Sequence, residues 1–302
     1  MDVAARVDNM APNVKLRCTD PALDPGGGGV NVSRALRFLG GSSNAFIATG
    51  GAMGHLLAEL LDIEGINPIT FETPGSTRQS FSVTETSGGD QYRYVLPGPV
   101  WTDELVTRAR EHIRRIVTPD TLVVASGSLP PGVPSAFYRD LNTDISTTGA
   151  QMILDTSGAA LDASIHNDIP YFVLRMDGEE AEHLAGHSFH TPHALAEFAR
   201  SLVEKNVSDQ IILALGAEGS VGVSAHEMFF CKPPTVKPDS KIGAGDSLVA
   251  AATLALAQGR SFREAVTYGT AAAASAVTTP ASRLCDKLAT DSYARQVVVT
   301  DL

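Results

Sequence analysis

Lys241-Ile242-Gly243-Ala244-Gly245-Asp246-Ser247 places three small residues, a carboxylate and a hydroxyl directly ahead of the apolar run Leu248 to Ala257. Small residues at 243 to 245 let successive backbone N–H groups turn toward one point, and the helix expected after them adds the positive end of its dipole. Such a turn binds an anion. Asp246 stands beside it, so a hydroxyl held there could lose its proton to the carboxylate while the N–H groups hold the developing negative charge. Phosphoryl transfer needs both functions. A glycine turn followed by an Asp N-cap has the same sequence, and on these residues alone that reading stays open.

A second glycine-rich stretch, Asp24-Pro25-Gly26-Gly27-Gly28-Gly29-Val30-Asn31, leads into the helical spacing Val32, Ala35, Leu36, Leu39, which Gly40-Gly41 ends. Consecutive glycines cost about 0.5 to 1 kcal/mol each relative to alanine, and close approach of the backbone to a ligand is one motive for them. Asn31 at the helix start can offer its amide to ligand hydroxyls; a flexible loop with an Asn cap is the alternative. Neither GxxxxGK[ST] nor GxGxxG occurs, which removes the P-loop and dinucleotide readings. Arg78, after Pro74-Gly75-Ser76-Thr77, carries a guanidinium suited to a bidentate phosphate contact, or is a solvated strand residue. Lys15 and Arg17 share one face of a weak strand pattern, which suits a phosphate or a solvated edge equally.

Elements that could position these groups are plentiful. The chain has 302 residues, 43% hydrophobic and 19% charged, with a mean hydropathy of +0.03, enough for a large buried core and unlike a disordered chain. A net charge of −11 opposes nucleic-acid and anionic-membrane partners and leaves a small ligand as the expectation. Cys18, Cys231 and Cys285 are far apart with no CxxC spacing, so neither a zinc site nor a disulfide framework is expected, and a reducing cytoplasm fits. No apolar run reaches the ~20 residues of a membrane span, and the start lacks a signal-peptide core.

Asn44 to Thr49 reads as a strand, and Leu56, Leu57, Leu60 and Leu61 as the inner face of a helix. The period then changes: Ile66 to Glu72, Gln79 to Thr86 and Gln91 to Pro97 read as a ribbon of strands with a hairpin loop at Ser87-Gly88-Gly89-Asp90. One face of that ribbon is apolar, so it closes over a site as a lid or meets another subunit. From 101 on, helix and strand alternate: helix 102 to 116, strand Thr121 to Ser126, helix 134 to 141, strand Gln151 to Asp155, helix 157 to 165, strand Tyr171 to Arg175, helices near 178 to 185 and 192 to 204, and strand Gln210 to Leu215. A second ribbon at 220 to 230 precedes Ala-rich helices 248 to 258 and 262 to 276. Continuous apolar strands between helices predict an α/β fold with a mainly parallel sheet and helices on both faces, with ligands beyond the carboxyl ends of the strands. Gly127-Ser128, Asp155, Asp177 with Glu180, and Gly216 to Gly219 all follow strands.

Together these motifs resemble the ribokinase-like carbohydrate kinases of the PfkB family over nearly the whole chain. Gly-Ala-Gly-Asp at 243 to 246 is similar to the family's C-terminal signature, Pro25 to Arg34 to its N-terminal one, and Ser126 to Gly132 lies between them as in relatives. The resemblance implies a three-layer α/β/α domain over 1–302 with a small β lid formed by about 1–20 and 66–97. Lys15 to Thr19, the glycines 26 to 29, Thr77-Arg78-Gln79, Gln91-Tyr92-Arg93 and Arg283-Leu284-Cys285 are most similar to members acting on fructose 6-phosphate. That implies ATP-dependent phosphorylation of its 1-hydroxyl; tagatose 6-phosphate or fructose 1-phosphate as the substrate, or a weakly catalytic sugar-phosphate binder, are the alternatives.

Carried onto this sequence, the resemblance makes Asp246 the base, Gly243, Ala244 and Gly245 the anion hole, and Asp2, Gly27, Asn31, Arg78 and Ser128 the contacts to the sugar and its phosphate. Arg175, Asp177, Gly216 and Gly219 fall on the nucleotide side, Glu180 near Mg²⁺, and Lys15 is a residue lent across a homodimer formed by the lids. Four positions depart from the family pattern: Arg175-Met176 for Lys-Pro, Asp177 for Asn, Ala214 for Ser or Thr, and Lys241 for Thr. The first core strand, which in relatives delivers the early Asp, is expected to be missing ahead of Asp2.

Overall fold

Buried apolar runs flanked by amphipathic helices leave few ways to hide both kinds of surface, and layering helices on both faces of a sheet is the commonest. A computed structural model, which describes residues 1–19, 21–280 and 283–302, has this form. The first half contains β1 (Asp2–Val7), β2 (Ala22–Asp24), α1 (Gly28–Phe38), β3 (Asn44–Thr49), α2 (Gly51–Ile63), β4 (Asn67–Glu72), β5 (Ser80–Glu85), β6 (Gln91–Val95), α3 (Asp103–Ile116), β7 (Leu122–Ser126) and α4 (Phe137–Ser146). It continues with β8 (Gln151–Asp155), α5 (Gly158–Ser164), β9 (Tyr171–Asp177), α6 (Gly178–Ala185), α7 (Pro192–Glu204), β10 (Ser208–Ala214), β11 (Ser220–Ser224) and β12 (Met228–Lys232). Three helices, α8 (Ala244–Ala257), α9 (Phe262–Ala276) and α10 (Lys287–Ala294), and β13 (Val298–Asp301) complete it.

The main sheet has seven strands in the order β13-β12-β11-β10-β9-β8-β7. Strands β7 to β10 are parallel, and β11 to β13 extend that sheet antiparallel. Met152, Leu154, Leu174, Met176, Ile211 and Leu213 bury one face against Leu105, Ile113, Leu141, Leu161 and Leu195 of α3, α4, α5 and α7. Ile153, Val173 and Ile212 face the opposite layer, where Leu36, Leu248, Val249 and Val266 come from α1, α8 and α9. Each such side chain contributes about 1.5 to 3 kcal/mol of burial. Alanines at 250, 251, 252 and 255 of α8 and at 265, 271 and 272 of α9 are 0 to 3% exposed, and side chains this small bring the two helix axes close.

The lid is narrower than the sequence pattern suggests. A four-stranded sheet β2-β1-β5-β6 stands apart from the main sheet, with β1 parallel to β5 and β5 antiparallel to β6. Residues 67–72, expected in the ribbon, instead form β4, which pairs in parallel with β3. Phe71 is the reason: it is 4% exposed and stacks on Phe46 and Trp101, so its burial in the body outweighs the alternation of the ribbon. Residue 20, at the edge of the expected lid range, lies outside the described residues. Among the described residues β3 and β4 form a separate two-stranded sheet, and no ladder joins β3 to β7. Helix α10, capped by the Asp286 carboxylate, and β13 were not expected from the pattern.

Candidate active site

Gly243 takes a left-handed conformation (φ 75°, ψ 6°) and is the N-cap of α8, with no side chain capping it. A Cβ there would collide with Leu284. The helix therefore starts at Ala244 and not at 248, and Asp246 is its third residue. This removes the N-cap reading of Asp246. The first N–H groups of α8 have no intrahelical acceptor and are left for an anion. Asp246 Oδ2 accepts a hydrogen bond from Asn31 Nδ2 at 2.9 Å. Burial pushes the Asp246 carboxyl up to about 6; the Asn31 bond and Arg175 oppose this, while Asp155 and Asp2 add to it. A carboxylate poised there accepts a proton more readily than an exposed one near neutral pH.

The glycine run is held from below by Arg34, which is 3% exposed. Arg34 donates from Nε and Nη2 to the two Glu64 oxygens, each at 2.7 Å, and from Nη1 to the Pro25 carbonyl at 3.1 Å. So anchored, Gly28 approaches β7 closely: a Cβ would lie 2.9 Å from the Gly127 nitrogen. Asp2, Gly27, Asn31, Arg78, Ser128, Gly243 and Asp246 all line one cavity of about 1140 Å³. Burial raises the Asp2 carboxyl, opposed by the terminal amine, Arg93 and Arg34. Arg93 on β6, part of the Gln91-Tyr92-Arg93 stretch of the resemblance but assigned no contact there, lines the same cavity. Its signal was the alternation of β6, which puts Arg93 opposite Ser82 and in step with Gln91 and Val95.

Arg175, Ala244 and Gly245 do not line that cavity. Arg175 lies behind the turn instead: a Cβ on Gly245 would be 3.2 Å from Arg175 Nη2. Arg175 Nη1 donates to Asp155 Oδ1 at 2.9 Å, and Ser126 Oγ donates to Asp155 Oδ2 at 3.2 Å. Arg175 Nε is buried without a partner. Asp155, 8% exposed, thus joins the ends of β7, β8 and β9. Its place after an apolar strand was legible in the sequence; the two partners that fix it come from strands distant in the chain.

Asp177, at the end of β9, lies opposite Ala214, at the end of β10. Asp177 and Glu180 form a capping box on α6: Asp177 Oδ1 accepts from the Glu180 N–H at 2.9 Å, and Glu180 Oε2 accepts from the Asp177 N–H at 2.7 Å. Burial raises the Glu180 carboxyl. Gly216 opens the single 3-10 turn after β10, and Gly219 follows it. Lys15 is exposed on the loop between β1 and β2 and does not line the cavity. Among the described residues no cluster of His, Cys, Asp and Glu could hold a metal alone. Hard oxygen donors at Glu180 and Asp177 suit Mg²⁺, an ion that keeps several waters and takes only one or two carboxylates.

A proton acceptor beside an anion-binding helix start, at the carboxyl ends of a parallel sheet, is the arrangement of a phosphotransferase. The family model for "pfkB family carbohydrate kinase" matches residues 1–288. The chain belongs to the pfkB family. Among its relatives in that family, the ATP-dependent 6-phosphofructokinase isozyme 2 of Escherichia coli (strain K12) is 36% identical over 286 residues, covering 94% of this chain and 92% of that protein. The crystal structure of Phosphofructokinase-2 from Escherichia coli in complex with potassium superposes with a TM-score of 0.93 at 34% identity, covering 98% of this chain and 95% of that one. The tetrameric inhibited form of that enzyme gives a TM-score of 0.90 at 33% identity with the same coverage. The ribokinase-like α/β fold expected from the motifs is that of these structures. No helix among the described residues is long and apolar enough to cross a membrane.

Proposed function

We propose that this chain is a cytoplasmic, ATP-dependent 6-phosphofructokinase, built as one domain over 1–302, that transfers the γ-phosphoryl group of ATP to the 1-hydroxyl of fructose 6-phosphate. The observation that carries this is the Asp246 carboxylate, half-buried, bonded to Asn31 at 2.9 Å and placed in the first turn of a helix whose N–H groups have no side-chain cap. Asp246 takes the hydroxyl proton, the sugar oxygen bonds to phosphorus, the bond from phosphorus to the bridging oxygen of ADP breaks, and the N–H groups of Ala244 and Gly245 hold the charge on the transferring group. Asp2, Gly27, Asn31, Ser128 and Arg78 hold the sugar and its phosphate, with Arg78 suited to the dianion by its fork of donors.

Asp177, Gly216 and Gly219 face the nucleotide, and Arg175, expected among them, supports the phosphate-binding turn from behind through its pair with Asp155. Mg²⁺, held by Glu180 and Asp177, would neutralise phosphate charge when bound. The exposed aromatic and apolar side chains of the lid, Tyr92, Tyr94 and Val95, support a homodimer across that sheet, which would bring Lys15 toward a partner's site. Steady-state ADP release, coupled to an optical readout, tests the reading across fructose 6-phosphate, tagatose 6-phosphate and fructose 1-phosphate. Fructose 6-phosphate is expected to give the highest kcat/KM by at least tenfold. No ADP release with any of the three, together with retained binding of fructose 6-phosphate, would make the protein a sugar-phosphate binder.

A further inference from the structure

Ser126, Asp155 and Arg175 stand side by side on neighbouring strands. Ser126 of β7 is the register partner of Asp155 of β8, and Asp155 that of Arg175 of β9. Paired residues of parallel strands point to one face of a sheet. Ser126 Oγ and Arg175 Nη1 take one Asp155 oxygen each, at 3.2 and 2.9 Å. On β10 the partner of Arg175 is Ile212, which packs into the layer of α1, α8 and α9. The polar row therefore stops at β9, on the face those helices cover.

Each end of the row touches one of the two glycine segments. At the β7 end, a Cβ on Gly28 would come within 2.5 Å of Ser126 Oγ. Gly127, next in the chain, donates its N–H to the Asp155 carbonyl at 2.9 Å, and its carbonyl accepts from Tyr138 Oη and Thr156 Oγ1, both at 3.0 Å. At the β9 end, Arg175 Nη2 lies 3.2 Å from where a Cβ on Gly245 would stand. An enclosed ion pair stabilises a fold little more than apolar residues of the same shape, and the Asp155 and Arg175 side chains are only 11% and 14% exposed. Arg175 Nε, buried with no acceptor, is a further cost. What the planar guanidinium does, and the lysine of the family pattern could not, is hold the carboxylate with one nitrogen and lie against the turn with another.

We infer that Ser126, Asp155 and Arg175 are positioning residues, which set the loop carrying Ser128 at a fixed separation from the turn carrying Asp246, with Arg175 bracing that turn from behind. The inference rests on reading those two segments as the sugar and phosphate sites. Neither Asp155 nor Arg175 lines the cavity, so both act through the segments they hold. The row also brings opposite charges up to Asp246. Burial raises that carboxyl most; after it, the Asn31 bond of α1 and Arg175 of β9 lower it, and Asp155 of β8 and Asp2 of β1 raise it. Lys241, Arg78, Arg93 and Asp24 border the same cavity and are left unchanged in the test.

Four variants are compared with the wild-type chain: Arg175→Met, Arg175→Lys, Asp155→Asn, and Arg175→Met combined with Asp155→Asn. Carbon-13 titration of the Asp246 carboxyl in the ligand-free protein should move up by ~0.5 pH units or more in Arg175→Met, down by a similar amount in Asp155→Asn, and stay near the wild-type value in Arg175→Lys and in the double variant. In steady-state kinetics both charge-removing single variants should lose about tenfold or more in kcat, with KM for fructose 6-phosphate and for ATP changed less than about threefold, because misplaced segments still bind. A pair that only held the sheet together would not shift Asp246 in opposite directions. A titration unmoved in both single variants, or moved the same way in both, overturns the assignment, as does a rise in both KM values with kcat retained. Should Arg175→Met not fold, Asp155→Asn, which keeps the shape of its side chain, carries both readouts. The titration needs no turnover, so absence of ADP release from the wild-type chain would count against the kinase reading while Asp246 still decides the row.

Discussion

Asn31 donates its side-chain amide to Asp246 Oδ2 at 2.9 Å, across 215 residues of sequence. The bond links the glycine-rich start of α1 to the first turn of α8, the two segments on which the sequence concentrates its chemistry. A general base acts chiefly in the transition state, so Asp246→Asn is expected to lower kcat by about 10² to 10⁴-fold with little change in fructose 6-phosphate affinity. Retention of more than half the turnover would leave Asp246 a purely structural residue.

Asp246 also sets a pH limb. Its carboxyl is raised to about 6 by burial, and only the ionised form accepts a proton, so kcat/KM should fall as pH drops through about 6 and be flat above it. For stability the sign is opposite. A carboxyl whose folded value is raised favours the folded state as pH falls toward its unfolded value, and ionisation weighs against folding above about 6. Asp246→Asn should therefore raise the thermal midpoint at pH 8 while abolishing the acidic limb. Removing the Asn31 bond, which opposes the rise, should move the limb of Asn31→Ala to higher pH.

Arg78 borders the cavity together with Arg93 and Asp2. Arg78→Ala is expected to weaken sugar-phosphate binding by about 1.5 to 3 kcal/mol, the value of hydrogen bonds to a charged group, while sparing ATP. Separate KM values for the two substrates distinguish this from a folding defect, which would raise both.

Gly243→Ala should be costly for two reasons at once, a left-handed backbone and a Cβ directed at Leu284. About 1 to 3 kcal/mol of stability should be lost from the backbone alone. The variant Gly243→Ala with Leu284→Ala relieves the collision and not the backbone, so denaturant midpoints of the single and double variants divide the two contributions.

Exposed Tyr92, Tyr94, Val95 and Leu96 on the lid predict self-association through it. Size exclusion with light scattering should give a dimer or higher oligomer at micromolar concentration, and Tyr94→Asp should yield monomer. A wild-type monomer would remove Lys15 as a residue lent to a partner.

Most strands and helices of the main sheet were legible because their signals are local: apolar runs at Leu122–Ser126 and Gln151–Asp155, and glycines in the turns that follow strands. The phosphate-binding turn and the glycine-rich loop were legible for the same reason, since each needs small residues in sequence. What escaped depends on distant partners. Asn67–Glu72 has the pattern of a lid strand but goes to β3 because Phe71 finds an aromatic cluster there. Asp155 gains meaning only from Ser126 and Arg175, and Arg93 only from sharing a cavity wall with Asp2. Strand β13 is four residues long and half-polar, too short for its period to be read.

The Asp2 carboxyl occupies the space that a side chain at Gly26 would fill, and Asp2 begins the strand that lies second in the lid sheet. Arg78 and Arg93 belong to the same sheet or its entrance, whereas Asn31 and Asp246 belong to the body. A sugar phosphate touching both sets would act as a clamp between two bodies, its affinity partly spent on ordering the lid. Water would then be kept from the phosphoryl group only when the acceptor is present. A nucleotide alone would find the reaction chamber without its roof, so wasteful hydrolysis of ATP would be held down by architecture without a separate gate.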